Sequence, residues 1–240
     1  MTFTGKKKII TFGGEKGGTG KTTICTNSAV YLKQRGVNVA ILDADPKPAS
    51  ATFCRRRKGT HDEFIEAPDM TDMAHKKLIA RKVIPGIIPC ERVRGDIMRS
   101  IESMANEFDV LLIDAGGMDE EEQRIGIALS DTLICPIKTG QYDLDTAPRM
   151  NSLVQKAKIF NKGLRSYFVV NEASTNPMMN NTDEAREILR QFDSMIVADT
   201  IIRKRNAFEV TASHGLGVIE WSDSKARAEM ELFCQEVING

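Results

Sequence analysis

The stretch from Phe12 to Thr23, FGGEKGGTGKTT, directly follows the apolar pair Ile9-Ile10 and constrains the fold more than any other part of the chain. Five glycines between Gly13 and Gly20, closed by Lys21-Thr22-Thr23, make a loop whose backbone N–H groups can turn inward onto an anion. A nucleotide phosphate suits that chemistry. The absence of side chains at Gly17, Gly18 and Gly20 lets the backbone approach phosphate oxygens, Lys21 carries charge to the β and γ phosphates, and the Thr22 hydroxyl reaches Mg²⁺. Thr19 and Thr23 complete the expected phosphate-binding set, and a helix beginning after Gly20 adds its positive N-terminal end. The strict spacing G-x-x-x-x-G-K-[ST] asks for glycine at position 15, where this chain has Glu15.

Composition narrows the class. At 240 residues, with nothing that reads as a linker, the chain is expected to form a single domain, residues 1–240. Basic and acidic residues balance at 33 each, so any nucleic-acid or membrane contact has to come from a local patch. Five widely spaced cysteines without a C-x-x-C pair argue against a disulfide framework or a zinc site and fit a reducing cytoplasm. No apolar run approaches the roughly 20 residues of a membrane span.

Helical patterns alternate with short β-branched runs, as in βαβ units on a parallel sheet. Strand 8–12, the glycine loop and a helix to about Arg35 lead to a stop at Gly36 and a second strand, 37–42. Asp43-Ala44-Asp45-Pro46 then stands at the carboxyl end of that strand, the edge where open α/β sheets bind ligands. Alone it reads as an acidic turn; beside the loop it reads as catalytic. Residues 51–82 are less legible: RRRK at 55–58 and KKLIARK at 76–82 read as solvated helix faces, and Phe64-Ile65 as a short strand. Val93, Ile97, Ile101 and Met104 share a helix face before the apolar strand 109–114, which ends in Asp114. Further helices are expected to about Leu129, over Ala147 to Ala157, from about Asn181, and over 222–238, with strands at 132–137 and 166–170 delivering Asn171 to the same edge. The architecture expected is three-layer α/β, with a mostly parallel sheet of seven or eight strands and helices on both faces.

Lys16 is a second lysine in the form x-K-G-G-x-G-K-[ST], and this resembles the deviant Walker A loop of the ParA/MinD family of ATPases. The resemblance implies that Lys16 reaches across a nucleotide-sandwiched dimer to the partner's phosphates. It implies that Asp45 of D-x-D-P orients the attacking water, with Lys47 where glutamine is usual. Asp43 would support the metal, and Asp114, ending a Walker B-like strand, would hold Mg²⁺ through water. Ala115-Gly116-Gly117 would act as a γ-phosphate switch. Asn171 is implied as an adenine contact, although Glu172 stands where the family often has arginine. The segment 200–208 is similar to the family's T-x-I-x-x-R block, whose basic residues help partition ATPases to hold DNA; here these are Arg203, Lys204 and Arg205. One of the two arginines could instead anchor the strand–helix junction. The last helix carries Glu229, Glu231 and Glu236 where membrane-cycling relatives have a basic tail, so no membrane partner is expected.

The expected function is therefore that of a short plasmid partition ATPase. It would use ATP and Mg²⁺, form a homodimer, hold non-specific DNA, be released through a ParB-like centromere-binding adaptor, and be cytoplasmic but nucleoid-associated when ATP-bound. A related ATPase positioning a protein assembly or serving conjugation would look the same. A P-loop GTPase switch would want N-K-x-D, and Asn161-Lys162-Gly163-Leu164 lacks the aspartate.

Overall fold

A computed structural model of the chain describes residues 7–66, 84–93, 96–116, 121–176, 178–179 and 181–239. The basic run 76–82 and Gly117 of the expected switch lie outside the described residues.

Among the described residues seven parallel strands form one sheet: β1 (Lys8–Phe12), β2 (Val39–Ala44), β3 (Cys90–Arg92), β4 (Val110–Ala115), β5 (Thr132–Ile137), β6 (Arg165–Val170) and β7 (Ile196–Val197), in the order β3-β2-β4-β1-β5-β6-β7. The order reverses direction around β1, which leaves a crevice at its carboxyl end. β2, β4 and β5 are buried along their whole length because helices cover both faces.

Alternation along each strand sorts the side chains. Ile10, Phe12, Val39, Ile41, Val110, Leu112, Ile134, Tyr167 and Val169 join one core. Against it lie α1 (Lys21–Gln34), α2 (Ala49–Glu66), α8 (Asn206–Ser213) and α9 (Ser224–Phe233), the last contributing Ala226, Met230 and Phe233. On the other face Ala40, Leu42, Leu111 and Ile113 pack on α3 (Ile97–Glu107), and Leu133, Cys135, Phe168 and Val170 pack with α4 (Glu121–Leu129), α6 (Ala147–Phe160) and α7 (Asn181–Leu189). The one-turn helix α5 (Gln141–Leu144) follows β5.

The reading of Phe64-Ile65 as a strand is corrected: both belong to α2. Its buried residues Ser50, Phe53, Cys54, Arg57 and Thr60 keep a helical period that Phe64 continues onto the core, and Asp43 Oδ2 accepts from Ala51 N at 2.8 Å in its first turn. The reading of 55–58 as a solvated face is corrected at Arg57, which fixes the middle of this helix. Fully buried, it forms a bidentate pair with Glu220, Nη1 to Oε2 at 2.9 Å and Nη2 to Oε1 at 2.8 Å, and donates to the Gly86 and Gly215 carbonyls. Gly215 has φ 65°, and a Cβ there would stand 2.1 Å from Arg57 N, so only glycine admits this approach.

Candidate nucleotide site

The glycine loop leaves β1, whose exit is held by Gly13 N donating to Ile134 O at 3.0 Å, and enters α1 without a side-chain cap or an acid in the first turn. The orphan N–H groups of that turn are therefore free to receive an anion. Gly20 has φ 95°, and a Cβ there would lie 2.0 Å from Asn171 Nδ2. The reason for glycine at this position is thus the buried Asn171 beneath the loop, whose Nδ2 donates to Thr19 O at 2.7 Å. Lys21 lies almost wholly inside, with Nζ donating to Lys16 O at 2.9 Å. Burial pulls its ammonium below the ordinary lysine range, and Asp114 opposes that shift.

At the ends of β2 and β4 the two acids meet different surroundings. Asp43 accepts from Asp45 N at 3.2 Å and from Ala51 N at 2.8 Å, through one oxygen each. Burial still raises its pKa. Asp114 Oδ2 accepts from Thr22 Oγ1 at 2.8 Å and from Ser50 Oγ at 2.6 Å, while the buried Oδ1 has no partner among the described residues. Burial pushes this carboxyl up to about 7. A buried carboxylate oxygen without a donor, beside a threonine hydroxyl and next to the phosphate loop, is the environment a hard divalent cation satisfies, so these residues fit Mg²⁺.

Three contributors carry no motif. Ser50 supplies the second hydroxyl on Asp114. Asp143, from α5, pairs with Lys16 at 3.0 Å. Gln123, from α4, is 2% exposed, and with its amide nitrogen assigned to the side that faces two carbonyls it donates to Gly116 O at 2.8 Å and Gly14 O at 3.2 Å, joining the phosphate loop to the end of β4. A buried glutamine in an otherwise acidic helix start was the only hint. Glu15, expected among the phosphate ligands, turns away to pair with Arg149 at 2.6 Å.

Two clefts open along the carboxyl edge. The larger, about 590 Å³, is lined by Gly17, Gly18, Gly20, Lys21, Thr22 and Thr23 of the loop, by Asp45, Pro46 and Lys47, and by Glu172. Asp45 thus faces the volume in front of the loop, one oxygen accepting from Lys47 N at 2.8 Å. The smaller, about 260 Å³, has Asn171, Phe208 and Ala212 in its wall together with Arg203, Lys204 and Arg205. The segment holding these basic residues runs beside the end of β6, with Ala173 N on Ile202 O and Lys204 N on Ala173 O. Both guanidinium groups meet Glu229, Arg203 at 3.3 Å and Arg205 at 2.6 Å. Burial pushes the Glu229 carboxyl up, but the hydrogen bonds from Arg205 and Arg203 outweigh it and hold the pKa below the usual range. Lys204 is exposed. Asn161, the start of the would-be guanine motif, lies at the opposite edge of the sheet, donating to the Ala128 and Ser130 carbonyls.

Residues 8–188 match a family model described as ATPase MipZ. The chain is 26% identical over 157 residues to an uncharacterized ATP-binding protein of Methanocaldococcus jannaschii, covering 62% of this chain and 60% of that protein. It is 24% identical over 239 residues to protein IncC of Escherichia coli, covering 92% of this chain and 65% of that one. It therefore spans less than two thirds of the length of either relative. The crystal structure of a ParA family ATPase from Chlorobium tepidum superposes with a TM-score of 0.66 at 17% identity, covering 95% of this chain and 99% of that one.

Proposed function

The chain belongs to the MipZ family of ParA/MinD-type ATPases, and we propose that it works as a single-domain, ATP-driven positioning switch. It binds ATP with Mg²⁺, dimerises face to face around two nucleotides, holds DNA without regard to sequence in that state, and lets go when a partner stimulates hydrolysis. The cargo proposed is a plasmid carrying a ParB-like adaptor, with the protein cytoplasmic and gathered on the nucleoid while ATP is bound.

The observation that carries this reading is Asp114 Oδ1, without a partner among the described residues, beside Thr22 and the buried Lys21, at the mouth of an uncapped helix. Bound there, Mg²⁺ would neutralise charge on the β and γ phosphates. The Thr22 hydroxyl and Asp114, through water, would hold the ion. The loop N–H groups and Lys21 would hold the phosphates. Asp45, facing the same volume, would accept a hydrogen bond from the attacking water and aim it. Lys16 stands 42% exposed at the loop's outer side, available to a second subunit once it leaves Asp143. Since Arg203 and Arg205 are engaged by Glu229, the DNA contact is assigned to the exposed Lys204, with the exposed Arg55 and Arg56 of α2 contributing.

The test is nucleotide titration with light scattering and DNA binding in ATP and in ADP. The expected result is a dimer and DNA retention in ATP alone. ATP turnover without any nucleotide-dependent DNA binding would overturn the DNA part and favour a protein cargo.

A further inference from the structure

Among the described residues only Thr23 and Glu172 line both clefts of the site. A nucleoside triphosphate has its sugar between its phosphates and its base. With the phosphates on the glycine loop and the base in the smaller cleft beside Asn171 and Phe208, the sugar falls at this throat.

Glu172 is held there by its backbone. It is the one described non-glycine residue in the left-handed region, with φ 51°. Its neighbours are fixed on either side, Asn171 N on Ile137 O at 2.8 Å and Ala173 N on Ile202 O at 3.1 Å. A conformation unfavourable to glutamate is thus imposed at the point where the two clefts join. The carboxylate meets Lys138 Nζ at 2.7 Å through Oε2, and each side chain is about one-third exposed. A carboxylate only accepts hydrogen bonds, so it is poorly suited to phosphate oxygens and well suited to a pair of hydroxyl donors; Lys138 offsets its charge near the triphosphate. Acidic residues recognise the ribose diol of dinucleotides by the same chemistry.

We propose that Glu172 recognises the ribose 2′ and 3′ hydroxyls of the bound nucleotide and makes the site selective for ribonucleotides over 2′-deoxyribonucleotides. The proposal rests on the nucleotide-site reading above. It accounts for a glutamate at this throat where an arginine would instead offer donors.

The test is calorimetric titration of ATP, 2′-deoxy-ATP and GTP, each with Mg²⁺, into the wild type, Glu172→Gln and Glu172→Gly. Glycine relieves the backbone strain while removing the carboxylate, and thermal melting checks that both variants fold. Losing a hydrogen bond to a charged acceptor predicts that the wild type binds ATP about tenfold or more tightly than 2′-deoxy-ATP. In Glu172→Gly both ligands should bind more weakly, 2′-deoxy-ATP losing only its 3′ contact and ATP losing both, so the ratio should fall toward one; Glu172→Gln should lie between. Equal wild-type affinities, or discrimination that survives in a folded Glu172→Gly, overturn the proposal. A preference for GTP that disappears in Glu172→Gly would put the carboxylate on the base and overturn it too. Failure of the wild type to bind any of the three would overturn the nucleotide site itself.

Discussion

Asp43 and Asp114 are register partners at the ends of β2 and β4, yet Asp43 accepts through one oxygen from Asp45 N in the loop after β2 and through the other from Ala51 N in the first turn of α2, while Asp114 keeps one buried oxygen without a donor among the described residues. The difference separates a residue that shapes the edge from one equipped to meet an ion. With its folded pKa raised to about 7, Asp114 binds a proton more tightly folded than unfolded. Its contribution to nucleotide-free stability is full below about pH 4 and is lost as pH rises through about 7. A cation competes with that proton. Mg²⁺-dependent nucleotide affinity should therefore be stronger at pH 8 than at pH 6, and Asp114→Asn should flatten the dependence. Mg²⁺ titrations at the two pH values check this; a pH-independent wild type would refute it.

The two lysines should separate by assay. Lys21→Ala is expected to abolish ATP binding, because a buried ammonium aimed at the loop is removed. Lys16→Ala should keep binding and lose ATP-driven dimerisation and turnover. Asp143→Asn frees Lys16 without touching the loop, so nucleotide affinity should stay within about threefold for this half-exposed pair. Equal loss of ATP affinity in Lys16→Ala and Lys21→Ala would remove the cross-subunit role.

Asp45→Ala should leave ATP affinity near the wild-type value, reduce hydrolysis by about a hundredfold or more, and trap the dimer, since aiming a nucleophile acts mainly in the transition state. Single-turnover hydrolysis beside light scattering measures both. Undiminished turnover would exclude Asp45 from that task.

Arg57→Met leaves Glu220 buried without its partner. The expected cost is about 3–5 kcal/mol, or roughly 10 °C in melting temperature for a chain of this size. Arg57→Met combined with Glu220→Leu should recover much of it, which a melting series reads directly.

For DNA, Lys204→Ala should reduce the log-log salt slope of binding by roughly 0.9 for each phosphate the lysine neutralises, with melting unchanged. Replacing Arg203 and Arg205 by alanine should lower stability first, because Glu229 then stands half-buried without its two cations. A well-folded Lys204→Ala with unaltered slope would move the DNA site to Arg55 and Arg56.

The elements were legible wherever one face or both had to be apolar. The glycine loop, the strand ending in Asp114, and the helix stripes Ile97, Ile101, Met104 and Ala226, Met230, Phe233 stand as the periodicity required, whereas Val93 lies ahead of α3 and Val237 falls in a π-helical segment, Cys234–Ile238, that follows α9. Edge strands β3 and β7 were not, because three and two residues give no period to read. Within the site, motif spacing brought Lys21, Thr22, Asp45 and Asp114 to one edge. It was silent on Ser50, Gln123 and Asp143, whose places depend on how α2, α4 and α5 dock rather than on their neighbours in sequence. The resemblance implied a DNA role for Arg203 and Arg205 with an anchoring role open for one of them; that both are engaged could not be read, because their acid, Glu229, lies more than twenty residues away in sequence.

The Gln123 amide spans the Gly14 and Gly116 carbonyls, so neither glycine can shift without pulling on α4. Helix α4 packs against α6 on the face of the sheet opposite α1. A ligand that moved Gly14 or Gly116 would therefore pull on a helix whose packing partners lie on the face of the sheet away from α1.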